Sequence, residues 1–209
     1  MLKTLKRDWW KLLLIILVCG GIEKLKVLHA GYMLITLLLE KPSNIQMFFL
    51  TTFIPFVLAT LQLLLQQVLP VCIHEQKILW NIAWKYMVLV ILCNVILTIL
   101  PFVLPLQVQV IRSLFTAVML VFSIITYTLF LGFVCAVANA TGLLAGIKTL
   151  ITKYFLTYIC VLLIVIIIKR IIIIFGIGIK DKFIFDAVYA LIQIAVVYIC
   201  LPLFKKQAK

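Results

Sequence analysis

Polar residues in this chain come in short groups between apolar runs, and most of those runs approach or exceed the roughly 20 helical residues that cross a bilayer. The pattern predicts an all-α, polytopic membrane protein with about six transmembrane helices, an N-terminal amphipathic interface helix and a re-entrant segment before the last span, all in a single transmembrane domain over residues 1–209. Residues 1–11 set Lys3, Arg7 and Lys11 at i, i+4 and i+8, with Leu2, Leu5 and Trp9 on other faces and Trp10 beside them. Such a basic amphipathic helix lies on a membrane surface. A basic start before an apolar run also has the form of a signal peptide, but the series of spans that follows favours the interface helix.

The first span is interrupted. Residues 12–22 are apolar, Glu23, Lys24 and Lys26 follow, and the apolar pattern resumes over 27–39. Either one span runs from about residue 9 to 28 with 29–41 lying along the interface, or a single tilted helix reaches residue 39 with its charges at mid-depth. Charges at the bilayer centre cost about 2.5–3.5 kcal/mol each on insertion scales, which favours the first model. Residues 46–71 form a second span, with Pro55 as a candidate kink, and 86–106 a third that ends at Pro101 and Pro105. Residues 114–138 make the fourth, followed by a ladder of small residues, Ala138, Gly142 and Gly146, at helical spacing for close packing.

The apolar stretch 154–179 is broken by Lys169 and Arg170. Residues 154–168 are just long enough to cross, whereas the nine from 171 to 179 are too few. These are expected to enter the outer leaflet and return, loosened by Gly176 and Gly178, before the sixth span at 183–204 and a basic tail.

Between the second and third spans lies a polar island, residues 74–85. Read as one helix, it places Lys77, Asn81 and Lys85 on a polar stripe at i, i+4 and i+8, with Ile78, Ile82, Trp80 and Trp84 on the remaining faces. Trp sits well at the headgroup level, so the island reads as an interfacial helix. A connector that merely anchors two spans has the same pattern.

Composition supports the membrane assignment. Hydrophobic residues make up 67% and charged residues 12%, far from the soluble range, and too little chain remains outside the spans for a separate soluble domain. The net charge of +13 sits mostly in the short segments between apolar runs, which points to anionic lipid headgroups and not to nucleic acid. With six spans, Lys and Arg number 11 on the side of the termini and 8 on the other, and all four Trp fall on the terminal side. The bias puts both termini in the cytoplasm and the chain in the cell membrane.

Catalytic patterns are missing. The six cysteines lie within or at the ends of apolar runs and show no metal or disulfide spacing. No phosphate-binding glycine loop or paired carboxylates appear, so no enzyme activity, cofactor or metal is expected of this chain. His74 and Cys72 point to different helix faces and make a poor catalytic pair. Asp186 is one turn from Lys182, as an interfacial i, i+4 pair or as an intramembrane acid with a function. Asn94, Gln62, Gln66, Gln67 and Gln193 either line a polar seam or hydrogen-bond between helices.

The order of basic entry helix, two spans, connector at 74–85, three more spans with a re-entrant stretch at 169–182, and basic tail resembles the type-two ABC exporter permeases, especially the small single-domain permeases of Gram-positive bacteria. The local pattern is Glu75, Lys77, Trp80, Trp84 and Lys85 leading into the third span. The resemblance implies a connector, with His74, Glu75, Lys77, Trp80, Asn81 and Trp84, that docks on a separate cytoplasmic ATPase holding ATP and Mg. It further implies a second permease copy or paralogue, and a re-entrant segment around Lys169, Arg170, Gly176 and Gly178 that caps the outer end of the pathway. The connector here is less basic than is common in that family, and the first span is shorter and more charged. An apolar pathway favours an amphipathic peptide or lipid-like substrate. An immunity or regulatory protein binding within the membrane, and a small secondary carrier, fit the same composition.

Overall fold

A computed structural model describes the chain except residues 1, 40–42, 77–79, 104–108, 177–181 and 207–209. Side chains at 2–5, 37–39, 98–103, 109–112, 169–170, 172–176, 182–186 and 206 also lie outside the description. All regular structure among the described residues is helical. The helices are α1 (Leu2–Leu39), α2 (Asn44–Glu75), α3 (Trp80–Val103), α4 (Gln109–Ala138), α5 (Leu143–Lys153), α6 (Phe155–Gly176) and α7 (Lys182–Lys206).

Four stretches are long and apolar enough to cross a membrane: Asn44–Glu75, Trp80–Leu97, Ser113–Ala138 and Ala187–Lys205. Leu143–Lys153 and Phe155–Ile168 add a fifth if this pair, bent by 95°, is one broken span. These helices mark a membrane protein. The chain divides into two compact units, Met1–Lys77 with Ile166–Tyr198, and Ile78–Val165 with Ile199–Lys209.

In the first unit α1 is a single helix of 38 residues, about 57 Å at 1.5 Å per residue. The expected division into an interface helix over 1–11, a span over 9–28 and a segment lying along 29–41 is therefore corrected: the backbone is continuous from Leu2 to Leu39. The reason is a second periodicity. Asp8, Leu12, Ile15, Cys19, Ile22 and Thr36 are buried, and Lys26, His29 and Met33 half-buried, at alternating spacings of four and three. One seam thus runs along one face of the whole helix, and α1 packs along α2.

Helix α2 contains two π-helical segments, Phe49–Phe53 and Leu64–Val68. In each, the closing bond runs from i to i−5, Ile54 N–H to the Phe49 carbonyl and Leu69 N–H to the Leu64 carbonyl. Pro55 and Pro70 come next in the chain. A proline ring collides with the carbonyl four residues back in an α-helix, and local widening to a π turn moves that carbonyl aside. The kink expected at Pro55 is thus accommodated by a change of helix type.

At its C-terminal end α2 stops at Glu75 because Gln76 adopts the left-handed conformation, φ 55° and ψ 25°. A residue there turns the chain out of the helix. The single helix over 74–85 is corrected accordingly: His74 and Glu75 close α2, while Trp80, Asn81 and Trp84 open α3. Lys77 lies outside the described residues.

In the second unit α3, α4 and α5 pack together. Helix α4 ends at Ala138, Ala140 has φ 52°, and Gly142 is the N-cap of α5, so the ladder of Ala138, Gly142 and Gly146 is split between helices. Close packing is made by other residues. A Cβ on Gly146 would stand 2.5 Å from the Ala136 Cβ and 2.6 Å from the Gly132 carbonyl oxygen, and one on Gly132 would stand 2.4 Å from Ile147 Cγ1. Tyr86 of α3 stacks on Phe133 of α4 at 4.8 Å.

The chain bends at Tyr154, and α6 then runs unbroken through Lys169 and Arg170 to Gly176. A separate segment beginning at Lys169 is therefore corrected. Lys and Arg are good helix formers, and nothing in their backbones interrupts the hydrogen-bond ladder. Gly178, on which the return was to turn, lies outside the described residues.

Candidate functional site

Two polar clusters sit on the seam of α1 in the first unit. The first is centred on Asp8, whose residue surface is 1% exposed. Arg7 donates to its carboxylate through Nε at 2.9 Å and Nη2 at 2.8 Å. The Tyr198 hydroxyl of α7 donates to Oδ2 at 3.3 Å. The ring of His74, at the end of α2, meets the Tyr198 ring edge-on with centroids 4.9 Å apart. Gln76, with its amide oxygen turned to Arg7, accepts from Nη1 at 2.9 Å. The bidentate guanidinium holds the Asp8 carboxyl below the usual carboxylate range against the opposing effect of burial, and the Tyr198 hydroxyl acts in the same direction. The cluster joins the start of α1, the end of α2 and the later part of α7 at one place.

The second cluster lies about 27 Å further along α1, 18 residues on at 1.5 Å each. Lys26 pairs with Glu23 at 3.1 Å and donates to the side-chain oxygen of Gln62 on α2. Gln62, Gln66 and Gln67 are all buried, and the Gln66 amide nitrogen has no hydrogen-bond partner among the described residues. His29 Nε2 lies 2.7 Å from the Leu50 carbonyl oxygen. In the i to i−5 register of the first π segment, that carbonyl would pair with the N–H of residue 55, which is proline. His29 supplies the donor that the proline lacks.

The residues singled out by sequence are dispersed. His74 and Glu75 contact each other, Nδ1 to Oε1 at 3.0 Å, and the Glu75 side chain is only 15% exposed. It faces His74, where docking required it to face water. Trp80 and Trp84 are exposed, as are Asn81 and Lys85, on α3. In the entry stretch Arg7 joins the Asp8 cluster, whereas Trp9 and Trp10 are exposed and Lys11 stands 5.7 Å over the Trp10 ring. Lys3 lies in α1, Lys169, Arg170 and Gly176 in α6, and Asp186 in α7, with their side chains outside the description. Asn94 is half-buried on α3, and Gln193 is fully buried on α7.

Asp8, Lys26 and His29 were missed by the basic stripe of Lys3, Arg7 and Lys11. The signal that finds them is their spacing with Leu12, Ile15, Cys19 and Ile22, which places them on the apolar seam of a longer helix. Neither cluster pairs a nucleophile with a base, and no group of three His, Cys, Asp or Glu among the described residues has the geometry of a metal site. Chemically, the first cluster fixes helix ends and the second supplies hydrogen-bonding groups between apolar surfaces. No family model, curated protein or solved structure matches the chain.

Proposed function

We propose that this chain is the membrane subunit of an exporter of the type-two ABC permease class it resembles, moving an amphipathic peptide or lipid-like substrate under the drive of a separate cytoplasmic ATPase. ATP and Mg belong to that partner, and a second permease copy or paralogue completes the pathway. In this reading six spans cross the cell membrane, with both termini in the cytoplasm. The observation that carries it is the Asp8 network, since it ties the entry helix and the last helix to residues 74–76, where the connector begins. A partner that displaces the connector moves three helices through one buried carboxylate. Because Glu75 is turned to His74, docking falls on the exposed Trp80, Asn81, Trp84 and Lys85.

The test is affinity purification of the full chain from its native membrane, followed by reconstitution with whichever ATPase accompanies it. Asp8→Asn should leave that complex assembled while substrate-stimulated ATP hydrolysis falls several-fold. Absence of any ATPase, or unchanged stimulation in Asp8→Asn, ends this reading. A second reading, an ion-coupled carrier, is favoured by Glu23, Lys26 and Gln62 on the seam, because ionisable groups within membrane helices mark ion paths. Transport by the chain alone in proteoliposomes under a proton or sodium gradient, abolished in Glu23→Gln, would support the carrier over the exporter.

A further inference from the structure

An apolar groove of about 440 Å³ opens in the second unit, between Trp84, Lys85, Val88 and Leu89 of α3 and residues 142–145 at the start of α5. Its size is within the range of small-molecule sites. Trp84, Val88 and Leu144 are exposed along it, at 46%, 44% and 78%. Lys85 is exposed at the same place, with Nζ 5.7 Å from the centre of the Trp84 ring. Lys148 lies one turn beyond Leu144 on the same face of α5 and is also exposed.

Three features choose the occupant. The first is charge: this unit carries seven Lys and Arg and no Asp or Glu, so no side-chain carboxylate of its own neutralises Lys85 or Lys148. The second is the groove floor, where Gly142 caps α5 without a side-chain hydrogen bond and the first helical bond is Gly146 N–H to the Gly142 carbonyl. The N–H groups of residues 143–145 are therefore the donors that a first helical turn leaves without an intrahelical partner, and these residues line the groove with Lys85. The third is apolarity, because apart from Lys85 the groove is walled by carbon-rich side chains and backbone. An anionic headgroup joined to an acyl chain satisfies all three.

We infer that this groove binds one anionic phospholipid, the phosphate on Lys85 and the first turn of α5, the acyl chain along Trp84, Val88 and Leu144. Trp84 and Lys85 also belong to the docking surface proposed above; the groove is tested on the chain alone, without an ATPase, so the two readings fail separately.

The experiment uses the full chain with Trp84 as its sole tryptophan, through Trp9→Phe, Trp10→Phe and Trp80→Phe, reconstituted with lipids brominated on the acyl chain. Phosphatidylglycerol should quench Trp84 at about tenfold lower mole fraction than phosphatidylcholine at low salt, with the preference shrinking as salt rises. Lys85→Gln should remove most of that preference and Lys85→Arg should keep it. Ala145→Phe, which fills the groove, should weaken quenching by both lipids. Lys85 is exposed and its substitution leaves packing intact, so the Gln and Arg variants decide the matter even if Ala145→Phe fails to fold. Equal quenching by the two lipids, an undiminished preference in Lys85→Gln, or stronger protection of Trp84 by an acidic peptide than by phosphatidylglycerol would overturn the assignment.

Discussion

In the first unit Asp8 lies buried beside Arg7 and Tyr198, and Lys26 joins Glu23 to Gln62; in the second, Gly146 fits against Gly132 and Ala136, and Tyr86 stacks on Phe133. All six Asp and Glu of the chain belong to the first unit. Helix contacts there depend on charged and amide groups placed on an apolar seam, where each must keep its partner or lie unsatisfied in a poor solvent for it. The second unit depends on small residues that let backbones approach, which is how helices associate when lipid is as apolar as the side chains. Polar groups on a seam fix register at some cost in stability. Small residues give close packing but tolerate no added atom. The two units should therefore fail differently when altered.

The largest effect is expected in the second unit. Gly146→Ala puts a carbon 2.6 Å from the Gly132 carbonyl oxygen and 2.7 Å from the Ala136 Cα, both backbone atoms. It should cost about 3 kcal/mol or more. Gly142→Ala has open space around the new carbon and should cost less than about 1 kcal/mol, mostly through the N-cap. Unfolding in mixed detergent compares the two, and equal losses would mean that α5 does not rest on α4 in this way.

Next comes Asp8→Ala, expected to cost about 2 kcal/mol through loss of charge-assisted hydrogen bonds and exposure of Tyr198 to an empty site. Because Asp8 is depressed in the folded state, its contribution is complete above the ordinary carboxylate value of about 4 and is lost as pH falls through its lower folded value. The stability gap between the parent chain and Asp8→Asn should accordingly narrow at acid pH. A gap that widens there would contradict the ion pair.

His29→Ala leaves the Leu50 carbonyl without a donor and should cost about 1–2 kcal/mol. In a Pro55→Ala background, the restored N–H can take that carbonyl, so the same substitution should cost less. A double-mutant cycle reads the coupling directly, and additivity would show that His29 does not answer for the proline. The smallest effect is Lys85→Gln, within about 0.5 kcal/mol, since an exposed cation in a unit without Asp or Glu adds little to folding. A large loss would mean that Lys85 is structural and would tell against its role in the lipid groove.

Much of this protein was determined locally. Apolar runs over 46–71, 86–103 and 114–138 are helices because backbone groups in an apolar medium must pair within their own segment, a requirement that run length alone expresses. Burial of Gln62, Gln66, Gln67 and Gln193 was equally legible, since polar residues within such runs turn inward. Helix ends and pairings were another matter. Whether Gln76 takes a left-handed turn beside Arg7, and whether Glu23 and Lys26 break α1 or find Gln62, depend on groups remote in the chain. As isolated groups in lipid the charges of α1 are costly, whereas α2 offers amide oxygens and carbonyls at the places where Lys26 and His29 fall. Desolvation is a property of each residue and can be read along the sequence; its compensation is a property of pairs, and only the tertiary structure brought those pairs together.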